Sequence, residues 1–246
     1  HYRVWTAVPD KAPPAAGYPV LYMLDGNAVM DKLDDAFLQQ LFAGSPPVIV
    51  AIGYQTALPF DTAARAWDYT PPLKTHEPRA GKPALPPRKT GGNDAFRQLL
   101  TETMVPQTEA NLKIDPHQRA IWGHSYGGLF VLDAWRKASP FGIYYSASPS
   151  LGQAQQSPLQ ASQSLDAVRF RGKSLYLLEG DGKARGEPSG HEASLEVLRQ
   201  TQQQLASKGL TVAFWRYPGL THGQMFEVSL RSALLHLSGQ AALAHQ

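Results

Sequence analysis

Cysteine is absent from all 246 residues, which rules out disulfides, thiolate metal sites and a cysteine nucleophile. The absence fits an oxidising compartment. No apolar run approaches the roughly 20 residues of a membrane-spanning helix, and no positively charged segment with an apolar core opens the chain. The chain is therefore expected to be soluble, and because His1–Val8 already reads as a β-strand it is expected to start inside a fold, behind a leader. Charge is sparse as well: only 17% of residues are charged, for a net +3, and the basic residues carry no recognition motif, which speaks against nucleic acid. The eight histidines show no pair at metal-ligand spacing, so neither a metal site nor a cofactor is expected.

What remains is an alternating apolar pattern. Strand-like segments fall at Tyr2–Val8, Val20–Leu24, Val48–Tyr54, Arg119–Trp122, Gly142–Ser146, Ser174–Leu178 and Leu210–Tyr217. Several are nearly continuous apolar runs, as in strands buried on both faces of a mostly parallel sheet. Helical periodicity fills the gaps at Met30–Phe42, Asp94–Leu112, Leu129–Ala138, Glu192–Lys208 and Met225–Leu237. Strand and helix alternate throughout, which predicts one three-layer α/β domain over residues 1–246. Pro106 should kink or divide its helix.

One stretch interrupts the rhythm. Leu58–Gly92 contains Pro71, Pro72, Pro78, Pro83, Pro86 and Pro87 and is expected to be neither helix nor inner strand. Between Arg65 and Lys89 it holds six basic residues against two acidic, a local +4, while the rest of the chain is close to neutral. Long irregular loops inside compact domains tend to be lids or binding loops. A loop of that charge would attract an anionic ligand, and Arg65, Arg79, Arg88 and Lys89 are its candidate contacts, Arg65 first.

The strongest motif is Gly123-His124-Ser125-Tyr126-Gly127-Gly128, placed between the Arg119–Trp122 strand and the following helix. A serine between small residues at such a junction has the form of a nucleophile elbow. Glycines at 123 and 127 would leave the tight turn uncrowded. A serine hydroxyl needs a histidine base, and in hydrolases built on this elbow the base follows the last strand. His222, in Pro218-Gly219-Leu220-Thr221-His222-Gly223, has that position. His191 is its competitor, and His124 should point away from Ser125 as a packing or supporting residue. An acid would come from the turn after Leu175–Leu178, where Asp181 and Glu187 are candidates and Glu179 a weaker one. Two oxyanion donors are expected: the amide of Tyr126, and that of Asn27 in the Leu24-Asp25-Gly26-Asn27 loop, with Gly26 letting that backbone approach the site.

Together with Arg65-Ala66-Trp67-Asp68-Tyr69-Thr70-Pro71, Tyr145-Ser146-Ala147-Ser148-Pro149-Ser150 and His222-Gly223-Gln224-Met225-Phe226, these motifs resemble the periplasmic catecholate-siderophore esterases, relatives of the enterobactin and salmochelin hydrolases among the esterase D-like α/β-hydrolases. The resemblance covers nearly the whole chain. It implies an α/β-hydrolase fold, a periplasmic setting, and hydrolysis of the enterobactin trilactone, ferric or iron-free, to linear catechoyl-serine products. Ser125 looks like the nucleophile, His222 the base, Asn27 and Tyr126 the oxyanion donors, and Arg65 an arginine that holds catecholate. It also implies a serine–histidine dyad: Lys183 stands where related triad esterases carry a carboxylate, with Asp181 left as a substitute acid. The expected partner is a small siderophore, and the expected state a monomer or weak homo-oligomer. Competing readings are a general carboxylesterase or acyltransferase of the antigen-85 type, and a siderophore-binding protein with a residual elbow.

Overall fold

The computed structural model describes residues 1–72, 88–152, 165–185 and 191–246. Seven strands form one sheet in the order β1-β3-β2-β4-β5-β6-β7: β1 (Tyr2–Ala7), β2 (Tyr18–Met23), β3 (Val48–Tyr54), β4 (Ile114–His124), β5 (Ile143–Ala147), β6 (Ser174–Gly180) and β7 (Thr211–Tyr217). Only β1 runs antiparallel to its neighbour; the rest are parallel. Every residue of β2 and β3 is buried, which is why those segments read as unbroken apolar runs.

Strand alternation sorts the side chains between two cores. Tyr22, Val50, Ile121 and Leu177 face one side and pack with Phe96, Phe130 and Trp135. Leu21, Met23, Trp122 and Leu178 face the other and pack with Phe37, Phe226 and Leu230. The helices covering the sheet are α1 (Gly26–Met30), α2 (Asp35–Phe42), α3 (Thr62–Tyr69), α4 (Asn93–Leu99), α5 (Val105–Glu109), α6 (Tyr126–Arg136), α7 (His191–Ser207) and α8 (Gln224–Leu237).

Two sequence expectations are corrected and a third is made specific. The single helix Met30–Phe42 is two, because Asp34 caps a fresh start by accepting from the Phe37 amide at 2.8 Å. The stretch expected to be irregular from Leu58 contains α3: Thr62–Tyr69 lies between Pro59 and Pro71, and Asp61 caps it by accepting from the Ala64 amide. Proline excludes helix only where it stands. Pro106, finally, does stand where the regular helix expected over Asp94–Leu112 is divided. A π-helical turn, Leu100–Met104, joins α4 to α5 and places Pro106 in the first turn of α5, where its missing N–H is tolerated.

β4 is also longer than Arg119–Trp122. Its pairing with β2 jumps from Tyr18↔Ile114 to Val20↔Arg119, so the intervening residues, Pro116 among them, form an irregularity that spares the ladder a proline. The functional consequence is at the other end. The parallel strands deliver their carboxyl ends, and the loops after β2, β4, β5 and β7, to one edge of the sheet.

Candidate active site

β4 ends at His124 and α6 begins at Tyr126, leaving Ser125 alone at the junction with φ 60° and ψ −116°. For a residue with a side chain this backbone is strained, at roughly 1–3 kcal/mol. The surroundings hold it in place: the Ser125 amide donates to Ala147 O at 3.0 Å, and Ser125 O accepts from Leu129 and Ser150 amides. Gly123 is required by contact, since a Cβ there would lie 2.3 Å from Gly127 O, and Gly128 likewise, 2.7 Å from Ala147 O. Gly127 itself has room for a Cβ, its nearest neighbour being 3.6 Å away. The second constrained glycine of the elbow is therefore 128, not 127.

The loop after β7 brings His222 to the serine. Its Nε2 lies 3.2 Å from Ser125 Oγ, so the hydroxyl can donate its proton to the imidazole. Ser150, in the loop after β5, places its own Oγ 3.1 Å from Ser125 Oγ. The sequence reading did not single out Ser150 as a site residue, although its place after a parallel strand next to β4 was a usable signal. His124 points away from Ser125 into the α8 side of the sheet, where its Nε2 meets His222 O at 2.8 Å. Burial, with His222 beside it, pushes its pKa down to about 3.

The main-chain N–H of Tyr126 opens α6 and has no partner within the helix. Asn27 stands in the first turn of α1, but its side chain is committed elsewhere. Its Nδ2 donates to Tyr54 O at 3.0 Å and Thr56 O at 3.1 Å, while its Oδ1 accepts from the Tyr54 amide at 2.9 Å. Only its main-chain amide is left for an oxyanion. Gly26 also differs from expectation: a Cβ there would meet the backbone of Ile52 at 2.7 Å. It is small for the sake of β3, not of the site.

Arg65, on α3, reaches the site but arrives already paired. Its Nε and Nη2 grip the two oxygens of Asp25 at 2.8 and 2.9 Å, and its guanidinium lies over the rings of Phe60, Tyr69 and Tyr126. Burial pushes the Asp25 carboxyl above the ordinary range, while the arginine's hydrogen bonds pull it back. A cavity of about 250 Å³ is lined by Phe60, Thr62, Arg65, His124, Ser125 and His222. A second, of about 390 Å³, shares Phe60 and His124 with it and is walled by Pro59 and Phe226. Arg88 and Lys89 are exposed and line neither. Arg79 lies outside the described residues.

The candidate acids sort as follows. Both oxygens of Asp181 accept from other groups, the Gly219 amide at 2.6 Å and the Arg216 guanidinium, and those bonds hold its carboxyl below the ordinary range. Asp181 thus braces the turn that leads to His222. Glu179 is buried and accepts from Ser148 Oγ at 2.8 Å and from the Gly180 amide. Glu187 and the side chain of His191 lie outside the described residues. Among the described residues, no group of three or more His, Asp or Glu side chains could hold a metal ion.

Comparison with known proteins agrees with this geometry. The family described as "Putative esterase" matches residues 1–237. The apo-salmochelin esterase of Escherichia coli O6:H1 is 49% identical over 98% of this chain and 76% of its own length. The ferri-bacillibactin esterase BesA of Bacillus subtilis is 30% identical over 97% of this chain and 86% of its own. The solved structure of the enterobactin and salmochelin hydrolase IroE superposes with a TM-score of 0.85 at 48% identity, covering 98% of this chain and 90% of that one. The sheet, the elbow after β4 and the histidine loop after β7 are those of an α/β-hydrolase, and the chain belongs to the Esterase family.

Proposed function

We propose that this chain hydrolyses the ester bonds of enterobactin- and salmochelin-type catecholate siderophores through an acyl-enzyme on Ser125. The observation that carries the reading is the 3.2 Å approach of His222 Nε2 to Ser125 Oγ at the strained elbow, in a chain that shares half its residues with an apo-salmochelin esterase. In the first step Ser125 Oγ attacks the ester carbonyl carbon while its proton passes to His222 Nε2. The carbonyl oxygen becomes an oxyanion, for which the main-chain N–H groups of Tyr126 and Asn27 are the donors, each worth about 3–4 kcal/mol in comparable enzymes.

Collapse of the tetrahedral intermediate breaks the ester C–O bond, and the imidazolium returns its proton to the leaving serine hydroxyl of the substrate. Water then attacks the acyl-enzyme by the same route, His222 taking its proton, and Ser125 leaves as the free hydroxyl. Arg65 supports an aromatic, oxygen-rich substrate: the part of its guanidinium not spent on Asp25 borders the cavity beside the nucleophile. Chromatography of products from ferric and iron-free enterobactin tests the proposal. Wild type should release linear catechoyl-serine products, and S125A should be slower by more than about 10⁴-fold. Equal product from both would overturn it.

A further inference from the structure

The bond between His124 and the carbonyl of His222 joins the two halves of the site. We infer that His124 is a positioning residue: its Nε2–H holds the main-chain carbonyl of His222 and thereby sets where the base's imidazole meets Ser125.

Trp122 and His124 alternate onto the α8 face of the sheet, where the edges of their rings meet Phe226 at 5.2 and 5.4 Å between centroids. From there the His124 ring lies 4.8 Å from the ring of His222. A carbonyl oxygen can only accept, so the contact at 2.8 Å requires the hydrogen on His124 Nε2. Burial and the neighbouring His222 and Arg65, whose Nη2 is 3.5 Å from His124 O, keep the ring neutral, and in the neutral ring the bond to the carbonyl fixes the Nε2–H tautomer.

α8 starts with Met225 donating to Thr221 O and Phe226 donating to Gly223 O, and His124 donates to the His222 carbonyl that lies between those two acceptors. Because His124 is covalently next to Ser125, the nucleophile and the backbone of its base are separated by one peptide bond and one hydrogen bond. A displacement of about 1 Å in such a pair can cost about 10²-fold in rate.

The inference rests on Ser125 and His222 as nucleophile and base, so its test reads that pair without a siderophore. Glutamine can put an amide nitrogen where the imidazole has Nε2, asparagine only where it has Nδ1, and leucine fills the space without donating. H124Q, H124N and H124L are compared with wild type for kcat and KM on a p-nitrophenyl ester, for the rate of Ser125 labelling by a fluorophosphonate, and for Tm. H124Q should stay within about 5-fold of wild type. H124N and H124L should lose about 10–100-fold in both kcat and labelling rate, with KM changed by less than about 3-fold.

Wild-type labelling of H124L or H124N would overturn the inference, as would equal rates for H124Q and H124N. If H124L does not fold, the glutamine–asparagine comparison decides alone. S125A is the control: it should take no label, whereas labelling of S125A at the wild-type rate would overturn Ser125 as nucleophile and the inference with it, an outcome distinct from wild-type labelling of the His124 variants.

Discussion

At the scale of single residues, the side chains of this site are shared between chemistry and bracing, and the partners tell them apart. Asp181 has the sequence position of a triad acid, yet its oxygens are taken by Gly219 and Arg216. D181N should therefore lower kcat by less than tenfold on a p-nitrophenyl ester. A thousandfold loss, the scale on which an orienting acid acts in serine proteases, would show that Asp181 turns to His222 during the reaction. Arg65 was read from sequence as a contact for an anionic ligand. The structure adds that its fork is first a clamp between α3 and the loop after β2, through Asp25, so that substrate meets an arginine already held in place. Removing the arginine would leave Asp25 buried and unpaired, and R65A should cost about 3 kcal/mol or more of stability besides any loss of binding. Chemical denaturation measures that term separately from KM.

At the scale of elements, the β4–α6 junction carries the tightest constraint. Gly123 faces the Gly127 backbone at a distance no Cβ survives, whereas Gly127 has free space. G127A should keep kcat within about threefold and, as alanine is the better helix former, should not lower Tm. G123A must push α6 off β4 and should abolish fluorophosphonate labelling, since Ser125 cannot keep its conformation if either element moves. Labelling of G123A at the wild-type rate would disprove the close approach. The α3 segment teaches the complementary point. A proline-rich composition averaged over Leu58–Gly92 hid eight proline-free residues with their own cap, and the site's arginine stands on them.

At the scale of the whole molecule, histidines whose pKa falls on folding make stability depend on pH. Burial lowers the pKa of His124, His236 and His245, that of His124 to about 3. The unfolded chain, with ordinary histidines near 6.5, binds more protons below that pH than the folded one, so stability is full above about pH 6.5 and is lost as pH falls toward 3. His124 alone should cost about 2 kcal/mol between pH 7 and pH 5. Asp25 and Asp68, raised by burial, act in the opposite direction, and that contribution is common to wild type and a variant at 124. Denaturant unfolding at the two pH values should show H124Q losing about 2 kcal/mol less than wild type. An identical loss in both would mean that His124 takes up its proton without opening the fold.

The sequence by itself determined the α/β alternation, the sheet's buried strands, the elbow at Ser125 and the loop of His222, because each depends on periodicity, turn chemistry and chain order over a few neighbouring residues. It could not show that Asn27 spends its side chain on Tyr54 and Thr56, that Gly26 is small for β3, that Ser150 stands beside the nucleophile, or that His124 holds the carbonyl of His222. Those facts join residues from 25 to 98 positions apart. Only parallel packing of the strands, which brings distant loops to one edge of the sheet, decides which polar groups meet there and which are already spoken for.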